Sequence, residues 1–179
     1  MNGARWEGIV ARAACLAVCA GVVSGCGVSR GFAPSKFGTE ASPRVHYGEG
    51  PTPIRRGVYK LGAPYYVAGK LYVPKDDPDY DRVGIASWYG SDFHGRLTAN
   101  GEIYDQNRLT AAHPTLPLPS NVRVTNLKTG RSVVVRVNDR GPYMHDRIID
   151  LSRTAARELG FAGKGTEHVR VTYLGPAPL

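Results

Sequence analysis

The chain has 179 residues, and its 23 Lys+Arg against 15 Asp+Glu give a formal net charge of +8. This length suits one domain with additional segments, and 42% hydrophobic residues exclude a wholly disordered chain. The 22 Gly and 13 Pro are too many for a helical bundle, so we expect a β-rich domain with many turns.

The first 25 residues have the layout of a secretory signal. Arg5 and Arg12 precede an apolar run over residues 13–23, and its about 11 residues are fewer than the roughly 20 that span a bilayer. The run ends in VSGC, which resembles a bacterial lipobox, in which the signal is cut before Cys26 and that cysteine is acylated; the alternative is an ordinary signal with an accidental cysteine nearby. We expect a lipoprotein anchored at Cys26, since two or three acyl chains hold a protein stably on a membrane.

Gly27, the positions of the cysteines and the net charge indicate where the exported chain is located and what it binds. Gly27 stands where an inner-membrane retention signal of enteric bacteria has Asp, which favours the outer membrane, facing the periplasm. All three cysteines lie at or before Cys26, so the rest of the chain holds no zinc knuckle, CxxC redox pair or disulfide. A basic exported protein meets anionic envelope polymers rather than nucleic acid. We therefore expect a monomer that binds neither nucleic acid nor a cofactor.

Three segments follow the predicted signal. Residues 26–53 are rich in Gly, Pro, Ser and charge, which predicts a flexible tether. Residues 54–82 contain short β-prone runs at 58–61, 65–67 and 70–73, with a turn at 68–70, and predict an arm packed on the main domain.

Residues 83–175 carry the strongest strand patterns. Runs at 84–89, 121–125, 132–137 and 168–173 predict strands, and NLKTG at 126–130 predicts a hairpin between the second and third. One helix is expected, with Ser152 as its N-cap and Gly160 as its end. About six short strands with one or two short helices favour a small closed barrel, because closure removes exposed strand edges.

Two segments of the predicted barrel are candidates for chemistry. The loop WYGSDFHGRLTANGE, residues 88–102, mixes aromatic, Gly and polar residues, which favours a functional loop over a plain connector. Asp139 follows directly on a strand and precedes Gly-Pro, so it lies at the strand's end. A partly desolvated carboxyl there could give a proton to a glycosidic oxygen, and the alternative is a turn or ion-pair role.

Two further residues are weaker candidates. His113 has no partners at metal-ligand spacing, so we expect no metal site and interpret it as a residue that orients a carboxylate. Asp150 could cap the helix or brace a cleft, and we favour a structural role.

The longest motifs resemble the rare lipoprotein A family. GIASWYGSDFHGRLTANGEIYD, LTAAHPTLPLPSNVRVTNLKTGRSVVVRVNDRGPY and RIIDLSRTAARELGF carry the resemblance, which extends over residues 59–173. It implies a mainly β fold, a six-stranded double-psi β-barrel with one or two short helices, after a lipoprotein tether. It also implies a lytic transglycosylase, an enzyme that cleaves peptidoglycan strands lacking stem peptides and leaves 1,6-anhydromuramic acid ends.

The resemblance places catalytic roles on Asp139, Glu102 and His113. A neutral carboxylic acid would protonate the bridging oxygen, and the same or the second carboxylate would take the proton of the sugar's 6-hydroxyl. Asp139 is the provisional acid, but the sequence leaves both carboxylates open because each pKa depends on burial. We expect substrate contacts from residues of the same loops: Trp88, Tyr89, Asn100, Tyr104 and Arg140.

An alternative is a non-catalytic, expansin-like protein that binds glycan or loosens the wall. It needs Trp88, Tyr89 and Tyr104 to line a groove, whereas the enzyme needs Asp139 and Glu102 to face one groove. Many members of the family carry a C-terminal SPOR domain that binds denuded glycan at division sites. No such segment follows here, which puts septal targeting by that route in doubt and leaves association with the division machinery open.

Overall fold

A computed structural model describes residues 42–144 and 146–179, so the predicted signal, Cys26 and the first part of the predicted tether lie outside the described residues. Its strands are β1 (Tyr65–Val67), β2 (Lys70–Tyr72), β3 (Asp81–Trp88), β4 (Thr110–Ala112), β5 (Ser120–Asn126), β6 (Ser132–Asp139), β7 (Arg147–Leu151) and β8 (Thr166–Pro176). The α-helix α1 is Arg153–Glu158, and a short 3-10 helix covers Ser91–Phe93. Within the described ranges, no helix is long and apolar enough to cross a membrane.

Strands β3 to β8 form a closed barrel in the order β3-β7-β4-β6-β5-β8. The pairs β3–β7 and β4–β6 are parallel, and the other neighbours are antiparallel. Closure gives every barrel strand two hydrogen-bonded neighbours and leaves no exposed edge. The mainly β fold and the six-stranded barrel expected from the sequence are confirmed.

The barrel interior is filled by apolar side chains. Alternate residues of β5 and β6 point inward, which is why the sequence shows a period of two there. The most deeply buried strand residues are Val122, Val124, Val135, Val137, Ile149, Leu151, Val169 and Val171. Because side chains fill the interior of so small a barrel, a ligand must bind at its ends or on its outside.

Most strands match the sequence prediction, and two do not. Strands β4 and β7 were not predicted, because three residues of TAA and five of RIIDL carry no clear alternation. Residues 58–61 do not form a strand and contribute only a single bridge between Lys60 and Leu118. The predicted N-cap of α1 is confirmed, because the Ser152 hydroxyl accepts a hydrogen bond from the Ala155 amide at 3.2 Å.

Residues 42–53 lie against the barrel loops, so the tether prediction is wrong over this stretch. The Val45 amide donates to the Gly95 carbonyl at 2.8 Å, and Gly95 has a φ of 79° that suits glycine. Thr52 is 3% exposed, and its amide donates to the Asp105 carboxylate at 2.9 Å. Each such hydrogen bond fixes backbone that composition alone predicted to be flexible.

The predicted arm also contacts the barrel. Strands β1 and β2 form its hairpin, and the Tyr65 hydroxyl donates to the Pro114 carbonyl at 2.7 Å. The backbones of Lys60 and Leu118 exchange two hydrogen bonds of 2.7 and 3.0 Å. These contacts bring the arm beside the ends of β4 and β6.

Candidate active site

Asp139 lies at the C-terminal end of β6, before the chain turns at Gly141 and Pro142. Its Oδ1 accepts hydrogen bonds from the amides of Ala99 and Arg140, both at 2.8 Å. Among the described residues, no hydrogen bond reaches Oδ2. One oxygen is therefore fixed by the backbone, while the other is available to a ligand.

The surroundings of Asp139 favour its protonated form. Burial raises the pKa of Asp139 to about 6, although the two backbone hydrogen bonds and the charges of Arg140 and Lys60 oppose this shift. A general acid works best when its pKa is near the operating pH. The Asp139 carboxyl is suited to give and take a proton.

Glu102 is held in the opposite state. Gly101, with a φ of 90°, turns the loop so that its amide donates to the Thr98 carbonyl at 2.9 Å, and Glu102 follows directly. The Glu102 carboxylate accepts hydrogen bonds from Arg136 at 2.6 Å and from the side-chain amides of Asn138 and Asn100 at 2.9 Å each. Burial alone would raise the pKa of Glu102, but these hydrogen bonds outweigh it and hold the pKa below its ordinary value.

One loop contacts both carboxyl groups. Ala99 donates to Asp139, and the next residue, Asn100, donates to Glu102. On the barrel side, the consecutive residues Asn138 and Asp139 make the matching contacts. The structure thus brings Asp139 and Glu102 to the same end of β6, and the backbone of residues 98–102 links them.

The His113 ring makes no hydrogen bond to a carboxyl group of the described residues, and the catalytic role expected for it stays a prediction. Its Nδ1 accepts hydrogen bonds from the amides of Thr115 at 3.2 Å and Leu116 at 3.0 Å. Only its backbone reaches the acid, with the amide donating to the Asp139 carbonyl at 3.0 Å. Burial lowers the pKa of His113 to about 3, so the imidazole is neutral.

The three aromatic residues predicted to stack on sugars all contact other parts of the protein, and one of them is fully buried. Tyr104 is 1% exposed, and its hydroxyl donates to the Tyr89 carbonyl at 3.0 Å, with the two ring centroids 4.3 Å apart. The Trp88 indole packs against the core and donates to the Ala162 carbonyl at 3.1 Å. Tyr104 offers no open ring face, whereas Trp88 and Tyr89 are half-buried.

Asn100 and Arg140, also predicted to bind substrate, are likewise used internally. Asn100 is 1% exposed and accepts from the Thr98 hydroxyl at 2.8 Å while it donates to Glu102. The Arg140 guanidinium donates to the carbonyls of Leu116 at 2.6 Å and Leu61 at 2.7 Å. Both residues position the site, because their polar groups are committed to neighbours.

Sequence reasoning missed the residues that tune the two carboxyl groups. Arg136 and Asn138 stand two apart on β6, a spacing that places them on one face of a strand, but nothing local linked them to Glu102. Lys60 comes from the arm, and its Nζ donates to the Ala99 carbonyl at 3.1 Å. Such contacts depend on tertiary structure and leave no sequence pattern.

Two further expectations concern Asp150 and metals. Asp150 accepts a hydrogen bond from the Ser87 hydroxyl at 2.5 Å and lies 3.5 Å from Arg147, so it braces β3 against β7 in the structural role we favoured. Within residues 42–144 and 146–179, no three His, Asp or Glu side chains form a group suited to a metal ion.

Comparison with known proteins gives consistent matches over the barrel. A family profile described as "Lytic transglycolase" matches residues 81–173, more than half of the chain. The "Endolytic peptidoglycan transglycosylase RlpA" of Neisseria meningitidis serogroup A is 58% identical over 113 residues, which cover 63% of this chain and 47% of that protein. The protein of the same name from Pseudomonas aeruginosa is 60% identical over 114 residues, which cover 63% of this chain and 33% of that one.

The matched region is only part of those relatives, since the chain spans about half or less of their length. Among solved structures, the apo expansin of Clavibacter michiganensis has a TM-score of 0.42 and 20% identity, covering 56% of this chain and 52% of that one. That likeness bears no weight in the argument about function.

Proposed function

This chain belongs to the lytic transglycolase family of double-psi β-barrels, and from that premise we propose that it cleaves the glycan strands of peptidoglycan and leaves 1,6-anhydromuramic acid ends. The observation that carries the proposal is the pair of unlike carboxyl groups at the end of β6. Asp139 has a pKa of about 6 and one oxygen without a described partner, whereas Glu102 is held ionised.

Asp139 begins the reaction as a general acid. Its proton passes to the oxygen that bridges C1 of muramic acid and O4 of glucosamine, and the C1–O4 bond breaks as positive charge develops at C1. The glucosamine leaves with a new hydroxyl, and Asp139 is left as a carboxylate. The amides of Ala99 and Arg140 stabilise that charge on Oδ1.

Asp139 then completes the reaction as a base. Its carboxylate accepts the proton of the muramic acid 6-hydroxyl while O6 bonds to C1 and closes the anhydro ring. The proton lost in the first step is thereby recovered, and no water is consumed. One carboxyl group is sufficient for both transfers, so the spacing that hydrolases require between two carboxylates does not apply.

Glu102 acts as a fixed negative charge and as a positioning residue. Both of its oxygens accept hydrogen bonds from Arg136, Asn138 or Asn100, which makes Glu102 a poor proton carrier. Through Asn100 it fixes the turn whose Ala99 amide holds Asp139. The pair thus divides the work between a proton carrier and the residue that orients it.

The test is incubation of the protein with glycan strands that lack stem peptides, followed by mass spectrometry. Anhydro products are lighter by one water than products of hydrolysis, so the mass identifies the reaction. We expect anhydro ends from the wild type. Saturable glycan binding without any cleavage would instead support the glycan-binding alternative.

We also propose export and acylation at Cys26, which place the barrel on the periplasmic side of a membrane. The support is the VSGC motif after the short apolar run, since Cys26 lies outside the described residues. The test is growth of the producing cells with a labelled fatty acid. Label should enter the wild type and be absent from Cys26→Ser, and equal labelling of both would overturn the proposal.

A further inference from the structure

A cavity of about 310 Å³ lies between the arm and the barrel, beside the end of β4. The arm contributes Lys70 and Tyr72, and the barrel side contributes Tyr80, His113, Met144 and Arg147. Neither Asp139 nor Glu102 lines it. The cavity is thus next to the proposed acid but separate from both carboxyl groups.

His113 lines this cavity and carries a buried hydrogen-bond donor without a partner among the described residues. Its Nδ1 accepts two backbone hydrogen bonds, so in the neutral ring the proton must be on Nε2. His113 is 1% exposed, and Nε2 has no hydrogen-bond partner among the described residues. The Tyr80 ring, edge to face at 4.8 Å, is at most a weak acceptor for such a donor.

Two positively charged side chains line the same cavity. The Arg147 Nε is also buried without a described partner, although its Nη1 contacts the Ser87 hydroxyl and lies 3.5 Å from Asp150 Oδ1. Lys70 lies at the arm side, with Nζ 5.3 Å from the centre of the Tyr72 ring. Leaving buried donors without acceptors costs folding free energy. A negatively charged ligand group with several acceptors is therefore complementary to these side chains.

We propose that this cavity is a subsite that binds the free carboxylate of a muramic acid residue, with His113, Arg147 and Lys70 as its donors. The inference rests on the proposed function, because it takes the substrate to be peptidoglycan. Muramic acid carries a lactyl carboxylate, which is free only where no stem peptide is attached. Stem peptides also end in carboxylates, so the shared chemistry is a peptidoglycan carboxylate.

The dimensions favour the sugar as the source. A cavity of about 310 Å³ is at the lower end of the range for small-molecule sites, which suits one sugar ring rather than a whole stem peptide. Tyr80 and Tyr72 supply aromatic walls beside the charged groups. Binding of a free lactyl carboxylate here would favour strands without stem peptides, since an attached peptide removes that charge.

The experiment measures binding without turnover. The full chain carrying Asp139→Asn is titrated with N-acetylmuramic acid, with N-acetylglucosamine, which lacks the carboxylate, and with D-alanyl-D-alanine, which has a carboxylate and no sugar. Backbone amide shifts near Thr115 and Met144 report binding at the cavity. We expect N-acetylmuramic acid to bind at least about tenfold more tightly than either of the others.

Two variants and one control test the named donors in the same background. His113→Asn keeps an acceptor for the amides of Thr115 and Leu116 but removes the Nε2 donor, and Lys70→Gln removes an exposed charge that the fold does not need. Each should weaken N-acetylmuramic acid binding by about tenfold. Lys128→Gln, which removes the same charge in the β5–β6 turn, should leave it unchanged.

The outcomes separate this inference from the proposed function. Equal binding of the two sugars, equal binding of the dipeptide, or no effect of Lys70→Gln beyond that of Lys128→Gln would overturn the subsite. Wild-type cleavage to anhydro ends with no N-acetylmuramic acid binding would overturn the subsite alone. Binding as expected with no cleavage of any glycan would overturn the proposed enzyme and leave the subsite standing.

Discussion

Asp139 and Glu102 contact the same loop, yet the protein treats the two carboxyl groups in opposite ways. Asp139 receives two backbone hydrogen bonds on one oxygen, and burial raises its pKa to about 6. Glu102 receives side-chain hydrogen bonds on both oxygens, including those from the Arg136 guanidinium, and its pKa lies below the ordinary value. Burial acts to raise the pKa of both carboxyl groups, so the number and charge of their hydrogen-bond donors determine why the pKa of Asp139 is raised and that of Glu102 is lowered.

This difference assigns the roles that the sequence left open. Carboxyl groups whose surroundings push their pKa values apart commonly divide acid and charge-stabilising work in enzymes. Asp139 can hold a proton near neutral pH and return it, whereas Glu102 stays ionised. Substitutions at or beside one carboxyl group at a time test this division of roles.

The largest effect is expected for Asp139→Asn. An amide neither donates the proton to the bridging oxygen nor recovers it, so the cleavage rate should fall by about 10²- to 10⁴-fold. The thermal midpoint should not fall, because the variant removes a carboxyl group whose ionised form is disfavoured by burial. The rate is measured from anhydro ends released from peptide-free glycan.

Asp92→Asn is the matched control, because it makes the same change at an exposed position of the loop that follows β3. Its cleavage rate should equal that of the wild type. Full activity of Asp139→Asn would refute the assignment of Asp139 as the acid and reopen Glu102.

The pH dependence of kcat/KM tests the same contrast without a mutation. The first step needs protonated Asp139, so kcat/KM should fall about tenfold per pH unit above a pKa of about 6. An acid limb should appear only below the ordinary Glu range, where Glu102 loses its charge. A profile that is flat from pH 5 to 8 would contradict the acid role.

The sequence predicted the barrel well and the site only in part. Strands such as β5 and β6 alternate between core and solvent, so their pattern is visible locally, and Asp139 was found because Gly-Pro marks the strand end. The environment of each carboxyl group was not predictable. Arg136 reaches Glu102 from β6, far along the chain, and Lys60 reaches the Ala99 carbonyl from the arm.

The same reason explains the mistaken roles. Tyr104 and Asn100 have residue types that suit sugar binding, but whether a side chain faces a groove or the interior depends on tertiary packing. His113 was interpreted as a residue that orients a carboxylate, and only the structure shows that its Nδ1 accepts from the amides of Thr115 and Leu116.

A smaller loss of activity than that of Asp139→Asn, together with a loss of stability, is expected for Glu102→Gln. At pH 7 the variant loses a charge-assisted network with Arg136, and the free energy of unfolding should fall by about 1 to 3 kcal/mol. Because the pKa of Glu102 is lowered by folding, this contribution is present above its unfolded value of about 4.5 and is lost as pH falls through the folded value. The difference between wild type and variant should therefore shrink below pH 4.5 in urea titrations.

A double-mutant cycle with Arg136→Gln shows whether the pair acts as a unit. The double variant should be less destabilised than the sum of the two single variants, because each single change leaves the other partner without its counterpart. Strict additivity, or a Glu102→Gln variant as stable as the wild type at pH 7, would show that Glu102 is not held in this network.

The smallest effect is expected for Tyr104→Phe, which changes a residue within reach of the Asp139 charge. Burial raises the pKa of Tyr104, and the charge of Asp139 adds to this shift, so the hydroxyl lies within the field of the acid while it donates to the Tyr89 carbonyl. Losing that hydrogen bond should cost about 1 kcal/mol of unfolding free energy and leave KM unchanged, because Tyr104 is buried and its hydroxyl is bonded to the protein. Stability is measured by thermal unfolding and KM with peptide-free glycan. A raised KM at unchanged stability would mean that the Tyr104 hydroxyl binds the glycan. Tyr104 would then belong to the site together with the two carboxyl groups.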